Sequence, residues 1–150
     1  MRALIQRVSE ARVQAEGELV GEIGPGLLLL LAVEKPDTAA QVERLLNKTL
    51  NYRVFGDDRG HMNLSLMEVG GELLVVSQFT LAAETNKGLR PSFSSAAAPQ
   101  DAEALYELFV KEAAQSVGVQ TGRFGADMQV SLVNDGPVTI WIDSVRSVIN

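Results

Sequence analysis

The hydrophobic pattern at the start of the chain predicts strands. In ALIQRVSEARVQ, apolar and polar residues alternate, which is typical of a strand with one buried face. Turn residues follow in AEGELVGEIGPG, so this stretch is predicted to add a short strand and complete an N-terminal hairpin. The next segment, GLLLLLAVE, is apolar throughout, as strands buried on both faces are.

Helical spacing of apolar residues predicts two main helices. The first lies in KPDTAAQVERLLNKTLNYRVF, where Val42, Leu45 and Leu50 share one face and Asp37 is the candidate N-cap. The second lies in PQDAEALYELFVKEAAQSVG, which has Pro99 at its start and a glycine, Gly118, that can end it.

The remaining segments predict further strands and two loops. GELLVVSQFTLAA is a second buried strand that becomes polar at Ser77, and GADMQVSLVN and GPVTIWIDS are strands near the C-terminus. The stretches GDDRGHMN and ETNKGLRPSFSSAAAPQ have no periodicity and are predicted loops. Two helices against about seven strands favour one helical layer over stacked sheets. The prediction is an α/β fold, a three-layer α/β/β sandwich, with residues 1–150 forming one domain.

Composition and charge narrow the possible partners. The chain has a net charge of −6, whereas proteins that grip long stretches of nucleic acid are normally basic. We therefore expect no DNA partner and, if RNA is bound, contact with only a small part of it. The apolar run GLLLLLAV is far shorter than the ~20 residues of a membrane helix, and the start MRALIQRVSEARVQ does not resemble a signal peptide. The expected location is the cytoplasm, with no membrane partner.

Metal and cofactor chemistry has little support in the residue types. The chain has no cysteine, and its one histidine, His61, lies in the polar loop GDDRGHMN. The glycine-rich phosphate loops and the serine-nucleophile elbow are absent from the sequence. We predict no metal and no cofactor.

Two polar insertions into apolar strands remain as candidate sites. Ser77, Gln78 and Thr80 follow a buried strand directly, where polar groups either bond local backbone or serve a function. VNDGPVT interrupts the C-terminal apolar stretch, and it is either a hairpin turn or backbone shaped for a function. Spacing alone does not choose between these interpretations.

The two insertions together carry a family resemblance. SQFTL combined with N-x-G-P-x-T resembles the D-aminoacyl-tRNA deacylases, and the similarity continues through MRALIQRV, KGLRPSF and GRFGADMQVSLVNDGPVT. It covers essentially the whole chain. The resemblance implies a three-layer α/β/β homodimer that hydrolyses the ester between a D-amino acid and the terminal adenosine of tRNA. Its partners would be the 3′ end of tRNA and a second copy of the chain.

The resemblance also implies roles for individual residues. The catalytic side of the site would be formed by Ser77, Gln78, Phe79 and Thr80. Gly136 and Pro137, joined by a cis bond, would reach into the active site of the other subunit. There their carbonyls would accept hydrogen bonds from the substrate ammonium and leave no room for an L-side chain. Glycine has no side chain to reject, so glycyl-tRNA should also be attacked.

Further residues would support this arrangement. Arg7 matches an arginine that helps to hold the Gly-Pro segment, and Met128 and Phe93 would be apolar neighbours of the adenosine. The basic residues expected to meet the terminal phosphates are Lys87, Arg90 and Arg123, and ordinary solvated charges are the alternative interpretation.

The expected mechanism is hydrolysis by water. Backbone N–H groups near Phe79 and Thr80 would stabilise the oxyanion, and the substrate's ribose 2′-hydroxyl could assist. Two other functions remain open. One is a small amidase or peptidyl-tRNA hydrolase in which Thr80 or Ser77 is the nucleophile. The other is a non-catalytic module that binds an adenine nucleotide or an RNA end.

Overall fold

The computed structural model describes residues 1–145 and has an α/β fold. Its regular elements are β1 (Arg2–Ala15), β2 (Glu18–Ile23), β3 (Gly26–Ala32), α1 (Ala39–Asn51), β4 (Phe55–Gly56), β5 (Met62–Leu64), α2 (Leu66–Val69), β6 (Glu72–Ser77), α3 (Pro99–Ala113), β7 (Gly118–Thr121) and β8 (Met128–Asp143), with a 3₁₀ turn at Phe79–Ala82. The two predicted main helices are confirmed as α1 and α3, and the described residues contain eight strands against the expected seven or so.

The long strand β1 organises the main sheet. One edge of β1 pairs antiparallel with β3 along its first half and with β2 along its second half. Its other edge pairs antiparallel with β8 from end to end. Beyond β3 the sheet continues through β6 and β7, which pair in parallel. The first three predicted strands are therefore confirmed, including the N-terminal hairpin.

Two apolar clusters separate three layers. On one face of β3, Leu27, Leu29 and Leu31 pack with buried residues of α1 and α3. On the opposite face, Leu28 packs with Val13 and with other residues from β1, β2, β6 and β8. Strands β3 and β6 thus lie between the helices on one face and residues of β1, β2 and β8 on the other, which confirms the α/β/β sandwich.

The start of α1 corrects one prediction. The N-cap is Thr38 and not Asp37, because Thr38 accepts a hydrogen bond from Ala40 and Gln41 bonds back to the Thr38 N–H in a capping box. The Asp37 carboxylate instead accepts from the Glu34 N–H at 2.6 Å. Two neighbouring residues can both cap a helix, and the glutamine three positions on selected Thr38.

Three other segments differ from the predictions. Helix α3 begins at Pro99 as expected but ends at Ala113, so Gly118 does not end it and instead starts β7. The loop GDDRGHMN lies largely within a small β4–β5 hairpin. The two predicted C-terminal strands form one strand, β8, whose pairing with β1 shifts register between Asn134 and Thr139. No helix in the described part of the chain is long and apolar enough to cross a membrane.

Candidate active site

A pocket of about 500 Å³ opens at the carboxyl ends of the parallel strands β3 and β6. The carboxyl ends of parallel strands are a common position for ligand sites. The strands contribute Leu31, Val76 and Ser77, and the chain continues through Gln78 and Phe79 along the pocket wall. Further walls come from α3, from the segment 124–127 and from the start of β8. Of the predicted site residues, Ser77, Gln78, Phe79 and Met128 line this pocket.

The polar segment after β6 turns sharply at the pocket. The Gln78 N–H donates to the Leu31 oxygen at 2.8 Å, and the chain then enters the 3₁₀ turn Phe79–Ala82. The first N–H groups of such a turn have no partner within it. No acceptor among residues 1–145 hydrogen-bonds to the backbone N–H of Phe79 or Thr80, and Gln78 makes no side-chain cap. The backbone N–H groups of Phe79, which lines the pocket, and of its neighbour Thr80 are therefore available to a ligand.

Side chains hold this turn from both sides. The Gln78 side-chain amide donates to the Thr80 hydroxyl, and Thr80 is not among the residues that line the pocket. Arg2 donates to the Leu81 oxygen at 3.1 Å, and the Ser95 hydroxyl donates to the Ala82 oxygen at 2.7 Å. The carbonyl end of the turn is thus fixed, which keeps the donor end in place.

Aromatic residues form the sides of the pocket. Phe79 is 59% exposed and meets Phe93 edge to face, with ring centroids 5.0 Å apart. Phe93 does not line the pocket itself. The ring centroid of the buried Tyr106 lies 5.6 Å from that of Phe124. The Tyr106 hydroxyl donates a hydrogen bond to the Val75 oxygen at 2.9 Å. Burial raises the pKa of Tyr106 to about 12, although a hydrogen bond with Thr121 opposes the shift.

Sequence reasoning missed most of the pocket walls. Tyr106 falls within the second predicted helix and Phe124 within the resembling segment GRFGAD, and neither had an assigned role. The alanines of SSAAAP were interpreted as loop residues, yet Ala96 and Ala97 line the pocket. Their backbone pairs with the end of β3, where the Ala97 N–H donates to the Val33 oxygen at 3.0 Å. No short motif signals this role.

Gly136 and Pro137 lie in a bulge of β8, where its pairing with β1 shifts register. Asn134 shapes the bulge, because its side chain accepts from the Val138 N–H at 2.9 Å and donates to the Thr139 hydroxyl at 2.8 Å. The Gly136–Pro137 peptide bond is cis, and both residues are exposed. Neither is among the described residues that line the pocket.

Arg7 connects this bulge to the body of the protein. Its Nε donates to the Asp135 backbone oxygen at 2.8 Å, and its Nη1 donates to the Val54 oxygen at 2.6 Å. The Asp135 carboxylate lies 3.8 Å from the same Nε. The residue before Gly136 is therefore tied to β1 through a largely buried guanidinium.

The three candidate phosphate contacts have different surroundings. Lys87 and Arg90 are exposed in the loop before α3, and neither has an ion-pair partner within residues 1–145. Arg123 lies beside the pocket residue Phe124 but faces Glu16 and Glu18 at 3.8 and 3.6 Å. Its charge is partly balanced already, which makes it the weaker candidate.

A second concavity surrounds His61 in the β4–β5 hairpin, together with Asp57 and Asn63. His61 is exposed, and its backbone N–H donates to the Asp57 carboxylate at 3.0 Å. Across residues 1–145, no three side chains of His, Cys, Asp or Glu come together in a metal-binding arrangement.

The pocket combines available backbone N–H donors with an apolar wall, an arrangement found in hydrolases that stabilise an oxyanion.

A profile of the family described as D-Tyr-tRNA(Tyr) deacylase matches residues 4–143. A D-aminoacyl-tRNA deacylase of Actinobacillus pleuropneumoniae serotype 5b (strain L20) is 63% identical over 142 residues, covering 95% of this chain and 99% of the relative. A D-aminoacyl-tRNA deacylase of Klebsiella pneumoniae (strain 342) is 62% identical over 143 residues, with the same coverage.

Two solved structures have a similar fold. One, described as "c-Myc DNA Unwinding Element Binding Protein", is 40% identical with a TM-score of 0.91 and covers 95% of this chain and 98% of its own. Another, described as "Structural Analysis of a probable eukaryotic D-amino acid tRNA deacylase", shares the fold at 18% identity, with a TM-score of 0.82 and coverages of 94% and 97%. The chain belongs to the D-Tyr-tRNA(Tyr) deacylase family and is a hydrolase acting on D-aminoacyl-tRNA.

Proposed function

We propose that the pocket at the end of β6 binds the terminal adenosine of D-aminoacyl-tRNA and presents its ester to water. The observation that carries this proposal is the pair of open backbone donors at Phe79 and Thr80 beside the pocket wall. A pocket of about 500 Å³ with a largely apolar lining suits a nucleoside. Met128 in the wall and Phe93 behind Phe79 are the apolar neighbours that the base requires.

The chemistry then needs no side-chain nucleophile. Water attacks the ester carbonyl carbon. The carbonyl oxygen gains negative charge and accepts hydrogen bonds from the backbone N–H groups of Phe79 and Thr80. Each such donor is typically worth about 3 kcal/mol of transition-state stabilisation. The bond to the ribose oxygen breaks, that oxygen receives the proton from water, and the neighbouring 2′-hydroxyl assists the transfer. Ser77 and Gln78 shape the turn that aims the donors.

Selection of D-amino acids is assigned to Gly136 and Pro137 of a second copy of the chain. Both residues are exposed, Arg7 holds the segment that precedes them, and they do not line the pocket of their own chain. Their carbonyls would accept from the substrate ammonium and exclude an L-side chain, so rejection rests on a clash. Glycyl-tRNA has nothing to clash and should also be hydrolysed.

This role requires a homodimer. Within residues 1–145, β8 pairs only with β1, so one edge of a strand spanning Met128–Asp143 has no partner. The same strand exposes Val133 by 49% and Trp141 by 48%. An open strand edge with exposed apolar residues favours association. Light scattering that finds a fully active monomer would contradict the shared site.

The tRNA contacts are proposed to be local. Lys87 and Arg90 would meet phosphates near the 3′ end, with Arg123 joining them if Glu16 and Glu18 release it. A net charge of −6 disfavours a broad grip on duplex DNA, although one structural relative is described as a DNA unwinding element binding protein. Because aminoacylated tRNA is the substrate, we place the reaction in the cytoplasm.

Parallel assays test the proposal. Purified protein is offered one tRNA carrying D-tyrosine, L-tyrosine, glycine or an N-blocked peptide, and release of free tRNA is measured. We expect turnover of the D-tyrosyl and glycyl esters and none of the L-tyrosyl ester. Turnover of the blocked peptide alone would favour a peptidyl-tRNA hydrolase. Adenosine binding without any turnover would favour a non-catalytic module.

A further inference from the structure

The loop between Glu84 and Ser92 is closed at its base and exposed along its length. Glu84 and Ser92 exchange two backbone hydrogen bonds of 2.7 and 3.2 Å, and residues 85–91 lie beyond this pair. Gly88 has a φ of +68°, which turns the chain near the middle of the loop. Three extended residues on each side give a reach of at most about 10 Å.

The base of this loop lies next to the pocket. Phe93 directly follows Ser92 and meets Phe79, which lines the pocket, at 5.0 Å between ring centroids. Ser95, two residues further on, is bonded to the Ala82 oxygen at 2.7 Å. The loop therefore starts at the rim of the pocket. Its base residues, Glu84 and Ser92, are held in place relative to the ester of a substrate bound there.

The side chains at the tip suit unpaired nucleotides. Leu89 is completely exposed, at 104% of its reference area, between Lys87 and Arg90. Neither cation is paired within the described chain, although the whole protein carries a charge of −6. Proteins bind single strands by placing cations along the backbone and aromatic or guanidinium surfaces against the bases. Here the guanidinium of Arg90 and the apolar side chain of Leu89 are the surfaces available to a base. A positively charged tip with an apolar residue combines both features.

We infer that the loop 84–92 is an arm that binds the unpaired nucleotides preceding the terminal adenosine, with Leu89 against a base and Lys87 and Arg90 on the phosphates. This inference rests on the proposed function, since it needs the terminal adenosine in the pocket. It adds a second contact with the substrate outside the pocket. The contact would be independent of tRNA sequence elsewhere, because every tRNA ends in the same single-stranded CCA.

The test compares three D-tyrosyl esters of increasing length: adenosine alone, the trinucleotide CCA and full tRNA. For Leu89→Ala, which removes apolar surface that a base would cover, we expect kcat/KM relative to wild type to be roughly tenfold lower on CCA and tRNA than on adenosine. The loss should lie in KM with kcat kept, because the contact is the same in the ground and transition states. Leu19→Ala, at a residue that is 54% exposed on β2, is the matched control and should show no such dependence on length.

The charges are tested through salt. For a Lys87→Gln, Arg90→Gln double variant, the slope of log(kcat/KM) against log[salt] on CCA should be shallower by roughly 1.4, or about 0.7 for each lost phosphate contact. Lys111→Gln on α3 is the control cation. Equal losses on all three esters, or no loss, would overturn the arm while leaving the proposed function intact. A loss on tRNA alone would assign the loop to the duplex stem and also overturn it. A wild-type protein inactive on every ester would overturn both proposals.

Discussion

The Nε of Arg7 lies 2.8 Å from the backbone oxygen of Asp135, the residue that precedes Gly136. The same guanidinium donates to the Val54 oxygen at 2.6 Å, after the end of α1. A single side chain of β1 thereby connects the exposed bulge of β8 to the helical layer. If Gly136 and Pro137 serve the pocket of a second chain, their placement depends on this connection.

We predict that Arg7→Ala lowers kcat/KM on D-aminoacyl-tRNA by at least about tenfold and reduces the preference for D- over L-substrates. Hydrogen bonds from charged donors contribute about 1.5–3 kcal/mol each, and about 1.4 kcal/mol corresponds to tenfold in rate. Arg12→Ala, on the same strand but exposed, is the control. Steady-state kinetics on both stereoisomers measure the effect. Wild-type selectivity in a folded variant with the oligomeric state of wild type would contradict the positioning role.

Gly136→Ala is predicted to depress turnover of D-substrates. A Cβ at Gly136 would lie 2.8 Å from the Val138 side chain and 3.1 Å from Arg7 Nη2, and the φ of +147° is strained for any other residue. Overpacking of this kind typically costs about 1–3 kcal/mol. The displaced bulge would then misplace the carbonyls that we propose contact the substrate.

Gly17→Ala separates this effect from backbone strain. Gly17 also has a left-handed φ, of +79°, but a Cβ there would meet nothing within 4 Å. We expect both variants to lose stability in thermal unfolding and only Gly136→Ala to lose activity. Equal activity in the two variants would show that the bulge does not contact substrate.

The parts of the fold that follow from local periodicity were predictable. Leu27 to Leu31 are apolar at every position, which indicated burial on both faces, and the structure places alternate residues in the two clusters. The continuity of β8 was not predictable, because Gly136 and Pro137 are residues that normally end strands. The antiparallel partner β1 keeps the strand together on both sides of the bulge.

The candidate site was likewise predictable only in part. Ser77 and Gln78 could be found because polar residues interrupt an apolar run, and this signal is local. Tyr106, Phe124 and Ala97 come from three separate segments, and each has an ordinary composition. Only the tertiary arrangement brings them together at the end of β6. Sequence patterns therefore indicated the polar edge of the pocket, and the family resemblance added Phe79 and Met128, but the other apolar walls were missed.

Thr80→Ala is predicted to retain most of the activity, with a loss smaller than about fivefold. The change removes a hydrogen bond from the Gln78 amide, and such bonds contribute about 1 kcal/mol. The backbone N–H of residue 80 remains in place. Thr80→Ser, which keeps the hydroxyl, is the matched variant. Single-turnover kinetics and intact-protein mass spectrometry provide the measurement, and an acyl group trapped on Thr80 would establish a nucleophilic mechanism instead.

The last prediction concerns stability at high pH. Burial raises the pKa of Tyr106 to about 12 from an ordinary value of 10.0, so the folded state holds this proton more tightly than the unfolded state. The contribution to the free energy of unfolding is fully present below pH 10. It is lost as the pH rises towards 12, because the unfolded state then carries the phenolate more readily. Two pKa units correspond to roughly 2–3 kcal/mol.

Tyr106→Phe should therefore make the free energy of unfolding less dependent on pH between about 10 and 12. Near neutral pH the variant should be slightly less stable than wild type, because the Val75 oxygen loses its hydrogen bond. Tyr52→Phe is the control, since Tyr52 is the other tyrosine and is exposed. Urea titrations at several pH values give the free energies. If wild type and Tyr106→Phe lost stability equally over this range, the phenol of Tyr106 would titrate as an exposed group, and its place in the pocket wall would be wrong.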